Sequence, residues 1–120
     1  MLITEFFSNH KSEKKDIQMK ILEDIISYKA NYIFADKVID ILAKRNPDYD
    51  NRDEDTKFKI RDFQADRNTA FEGGYHLRVL YESEYGKITD DIEKTMKEVA
   101  ESFANAALAS YGWIERKSVA

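Results

Sequence analysis

Strong chain breakers are scarce in this sequence. Proline occurs once, at Pro47, and glycine four times in 120 residues. A fold of many short strands needs turn residues at short, regular intervals. Long helices need few. The breakers cluster at Pro47, Gly73-Gly74, Gly86 and Gly112, and the stretches between them are long enough to be helices.

The apolar pattern agrees. Ser12 and Glu13 read as a cap followed by an acidic first turn. Ile17, Ile21, Ile25, Tyr28 and Tyr32 then recur every three or four residues, the spacing of an amphipathic helix. The pattern continues through Phe34, Val38, Ile41 and Leu42. A break near Asn31 would divide it, and Pro47 ends it at Asn46. Lys44 and Arg45 suit a helix C-terminus. A polar loop follows, Pro47 to Asp55, whose last acidic residues fit the positive end of a second helix. That helix runs to about Phe71, with Ile60, Phe63, Ala70 and Phe71 inward and Phe58 off the face.

Gly73-Gly74 reads as a stop or hinge. Beyond it, Tyr75, Leu77, Val79 and Tyr81 alternate as a strand would, yet Leu77, Leu80, Tyr81 and Tyr85 satisfy a helix. A short β-hairpin within 57–82, pairing Lys57–Gln64 with Tyr75–Glu82, is the rival reading. The helical neighbours favour helix, ended by Gly86. The last element is the clearest. Thr89 caps it, Asp90 and Asp91 fill its first turn, and Ile92, Met96, Val99, Phe103, Ala106 and Ala107 form its stripe. Gly112 ends it. The expectation is one domain over 1–120, mostly all-α, a compact bundle of four to six helices.

Composition closes off several functions. There is no cysteine, so disulfides, thiol catalysis and thiolate metal sites are excluded. No apolar run reaches the ~18 residues of a membrane span, and the partly apolar start Met1–Phe7 lacks the basic region of a signal peptide. A cytoplasmic protein without membrane contact is expected. The formal net charge of −4 argues against a general phosphate-tracking protein. The acidic excess lies in residues 47–93, with thirteen acidic against seven basic side chains.

Reactive constellations are also missing. His10 and His76 stand far apart, in no metal spacing. Glu72 and His76 are four apart but separated by the two glycines, which argues against a shared helix face. The Asp48–Asp55 loop fails as a calcium loop, because a count from Asp48 puts Asp53 where glycine is required and Lys59 where glutamate is. Glu98 and Glu101, with Asp36 and Asp40, give carboxylates at the spacing of an all-helical metal hydrolase, an arrangement that exposed helix faces produce by chance. No phosphate loop or nucleophile elbow occurs. No catalytic residue, metal or cofactor is expected.

What remains is an aromatic surplus of seven Tyr, seven Phe and one Trp. A thin bundle cannot bury them all, and such rings anchor interfaces. A non-enzymatic protein-binding function follows. The expected contact residues are Asp48, Tyr49, Asp50, Asp53, Asp55, Tyr75, Tyr81, Tyr85 and Trp113, with Tyr111 also partly exposed. Arg61, Arg67 and Arg78, with Lys57 and Lys59 and interleaved tyrosines, give the alternative of a nucleic-acid or nucleotide binder. A homodimer through Ala100, Ala104, Ala107 and Trp113 is a separate expectation. In general character the chain resembles small phage-encoded or mobile-element proteins, a likeness of style that implies steric inhibition of a host protein.

Overall fold

The computed structural model describes residues 13–115. Three helices account for most of them: α1 (Glu13–Arg45), α2 (Glu54–Tyr85) and α3 (Asp90–Ser110). A 3-10 turn, Tyr49–Asn51, joins the first two. Among the described residues there is no strand. The all-α expectation stands, but the four to six helices and the hairpin in 57–82 do not. The predicted Ser12 cap and His10 lie outside the described residues.

Two expected interruptions are absent. α1 passes through Asn31, which is exposed on an unbroken helix. α2 passes through Gly73-Gly74, although each glycine costs about 1 kcal/mol relative to alanine in a helix. Packing gives the reason. A Cβ on Gly73 would sit 2.5 Å from Cε1 of Tyr28, so only glycine lets α2 approach the Tyr28 ring of α1 this closely. On Gly74 the nearest atom would be Tyr28 Cβ at 3.4 Å.

The helix ends follow local chemistry. Asp53 caps α2, its carboxylate accepting the Thr56 N–H at 2.6 Å. Thr89 caps α3 through the Ile92 N–H, with Asp90, Asp91 and Glu93 in the first turn. Gly86, at φ 88°, closes α2. At the end of α3, Gly112 takes φ 79°, its N–H donates to Ala109 O, and the Trp113 N–H donates to Leu108 O at 2.8 Å. These paired bonds form a Schellman motif, which turns Trp113 back onto Leu108.

α1 is the spine. Its N-terminal half shares one core cluster with the end of α2 and the start of α3: Leu22, Ile25 and Ile26 with Tyr81, Ile92 and Met96. Its C-terminal half shares a second, in which Val38 and Leu42 meet Ile60 and Leu108. Thus α2 runs antiparallel to α1, and α3 runs parallel to it. α2 and α3 both pack on α1 but scarcely touch each other. The radius of gyration is 17.2 Å, where a compact domain of this length would have roughly 14 Å, so the compactness expected of the bundle is not realised.

The phase of α3 also differs from expectation. Its buried residues are Ile92, Met96, Ala100, Ala104 and Leu108, an i,i+4 ladder, whereas Phe103 is 56% exposed and Ala106 is exposed. The small residues at 100 and 104 do admit a close helix, and that helix is α1 of the same chain. In α1, Leu22 and Ile26 are buried, Ile17 is about half exposed and Tyr32 somewhat over a third. In α2, Phe71 is 63% exposed, and Phe58 points outward as expected.

Candidate functional site

Because α2 and α3 both pack on α1 and scarcely on each other, a groove of about 480 Å³ opens between them with α1 as its floor. Ile25 and Ala100, both buried, form the base. Tyr28 and Tyr32 from α1 and Phe71 and Tyr75 from α2 form an aromatic wall. The Tyr32 and Phe71 rings are tilted against each other, centroids 6.3 Å apart. Lys29, Lys97 and Glu101 stand on the opposite rim, and Arg78 closes one end through its ion pair with Glu93.

Phe71, Tyr75 and Val79 lie at i, i+4 and i+8 on α2, which places them along one ridge of the helix. They are 63%, 57% and 50% exposed. The ridge runs beside the groove. Neither is evident from the sequence, because Tyr28, Tyr32 and Phe71 fit the apolar period and so read as core. The available signal is the surplus itself. Ala70, Leu77 and Tyr81 already supply an inner stripe for α2, so Phe71, Tyr75 and Val79 form a second one.

The sequence-predicted contact residues are scattered. Tyr75 lies in the groove wall. Tyr81 is buried at 3% exposure, its hydroxyl accepting from Gln18 Nε2 at 2.7 Å, so it presents no surface. It sits in α2 facing Leu22 and Ile25, which the strand-like alternation conceals. Tyr85 is half-buried, its ring centroid 5.1 Å from that of Tyr81. Tyr111 is exposed and edge-on to Phe34. Trp113 is half-buried between Phe63, at 6.0 Å and perpendicular, and the Arg45 guanidinium, 5.5 Å from the ring centroid. Ala100 and Ala104 are consumed inside the chain, so the expected alanine-lined face is not available to a second copy; Ala107 is half-buried.

The acidic loop is organised by its own bonds. Asp48 Oδ1 accepts the Asp50 N–H at 3.2 Å, and its Oδ2 accepts Asn51 Nδ2. Asp55 pairs with Lys59 at 3.0 Å. Hydrogen bonds from Thr56 hold the Asp53 carboxyl below its ordinary pKa of 3.8. The Tyr49 side chain lies outside the described residues.

The cationic alternative disperses. Arg67 pairs with Asp36 at 2.8 Å and Arg78 pairs with Glu93, so both charges are answered within the chain. Arg61 is exposed but six residues from Arg67, hence on another side of the helix. Lys57 pairs with Glu54 at 3.7 Å. Asp40 pairs with Lys44 at 2.9 Å. Among the described residues no group of His, Cys, Asp and Glu is placed to hold a metal ion. Glu72 and His76 do lie one turn apart, since the helix continues through the glycines; both are exposed, and the His76 ring meets Tyr75 edge-on. No helix of the described residues is long and apolar enough to cross a membrane.

No protein-family model matches the chain, and no curated protein or solved structure matches it.

Proposed function

We propose that the protein acts by stoichiometric contact with another protein, without chemistry of its own, and that the face carrying the groove and the Phe71–Tyr75–Val79 ridge makes the contact. The observation behind this reading is the exposed ridge beside an aromatic groove with a buried apolar floor. Exposed apolar patches of this kind mark interaction sites, and tyrosine and phenylalanine are enriched in the cores of interfaces. A groove between helices suits an amphipathic helix laid along it, read through anchors one turn apart. Binding there would cover a surface of the partner, the steric mode that suits an inhibitor.

Site-specific photo-cross-linking tests the reading. A photoreactive residue at Phe71 should give one foreign adduct of discrete mass in cells of the source organism. The same residue at Phe58, equally exposed but away from the groove, should give none. Equal labelling from both positions, or no foreign adduct from either, would refute the assignment.

A further inference from the structure

We propose that a second copy of this chain docks on the same face, the Phe71–Tyr75–Val79 ridge of each protomer lying in the groove of the other. This rests on reading that face as a contact surface: the second copy covers it until a foreign partner displaces that copy. A two-fold interface needs a surface that carries both halves of the fit, because each patch meets its own copy. This face does. The ridge spans nine residues of α2, eight steps of about 1.5 Å or about 12 Å of helix. The groove lies alongside it, with Phe71 and Tyr75 belonging to both. A foreign helix seated in the groove would leave Val79 and the outer side of Tyr75 in water. A second copy covers ridge and groove together.

Charge supports the same pairing. Glu72 is exposed beside the ridge, whereas Lys97 is exposed on the far rim, with Lys29 half-buried next to it. None of the three has an ion-pair partner among the described residues, although the neighbouring Arg67 and Arg78 both do. When the ridge enters the partner's groove, Glu72 approaches the Lys29–Lys97 rim, and the two-fold repeats the contact. Glu101 is the acidic residue of the groove lining that opposes it. The interface replaces the one expected from Ala100, Ala104, Ala107 and Trp113.

Light scattering on the full chain, with charge-reversed variants, tests this. Wild type should elute at twice the chain mass of 14.0 kDa at tens of micromolar. Phe71→Glu should give the single-chain mass with unchanged helical content. Glu72→Lys and Lys97→Glu should each weaken association by on the order of tenfold. Their equimolar mixture should regain the wild-type dimer. At one contact of the mixed dimer the two reversed side chains then meet as opposite charges, and at the other the unaltered Glu72 and Lys97 meet as before. Wild type at the single-chain mass overturns the proposal. So does a dimer that either single reversal leaves at wild-type affinity, or a mixture that stays weakened. A foreign adduct from position 71 alongside a monomeric wild type would leave the binding function standing and remove only the second copy.

Discussion

Gly73 and Gly74 are adjacent in sequence but unlike in what they do. The first leaves room for a ring and the second does not need to. Gly73→Ala places a methyl against Tyr28 Cε1 and Cζ, at 2.5 and 2.6 Å, so the ring must move. Overpacking of this kind costs about 1–3 kcal/mol, against a gain of up to about 1 kcal/mol in helix propensity. Gly74→Ala meets only Tyr28 Cβ at 3.4 Å, so the propensity gain should dominate. Urea unfolding should therefore separate the two positions, with Gly73→Ala destabilised and Gly74→Ala neutral or stabilised. Asp53 gives a second prediction at this scale. Its pKa is lowered in the folded chain, so its contribution is present above the ordinary value of 3.8 and is lost as pH falls through the lowered folded value. Asp53→Asn keeps a capping side chain. Thermal melts of the two proteins should converge below pH 3.8, with the wild type showing the steeper acid dependence.

At the scale of the element, helix type and helix ends were legible, and helix phase was not. Thr89 with Asp90 and Asp91, the acidic start of α2 and the glycine ends at 86 and 112 announce themselves, because caps are local chemistry. Gly73-Gly74 misleads for the opposite reason. Its justification is the Tyr28 ring on another helix, which no local rule can see. In α3, two apolar stripes compete. The larger side chains, Val99 and Phe103, suggest one, but the chain buries the other, where alanines let the axes approach. Leu108→Ala, at a fully buried site, should cost about 2–5 kcal/mol, whereas Phe103→Ala should change stability by less than about 1 kcal/mol although it removes more atoms. Chemical denaturation of both variants measures the contrast. Thr89→Ala should cost about 1 kcal/mol through the lost cap.

For the whole molecule, the class could be read in advance but the shape could not. Composition and periodicity point to helices. Nothing in them shows that α2 and α3 both choose α1 and avoid each other, so the groove stays hidden while its tyrosines read as core. The two outer helices meet mainly at their ends. At one end stand the turn with buried Ile88 and the Arg78–Glu93 pair; at the other, Trp113 rests against Phe63. Trp113 is the only tryptophan, so its emission reports on that second end alone. Phe63→Ala should shift the emission to the red by exposing the indole, while Tyr75→Ala, in the groove, should leave it unchanged.

A spine shared by two otherwise separate flanks also concentrates mutational risk. Damage to an inward position of α2 or α3 loosens one contact, whereas damage at Leu22, Ile25 or Val38 removes support from both sides at once. Random variants selected only for staying folded would then tolerate little change along α1 and noticeably more in its two neighbours.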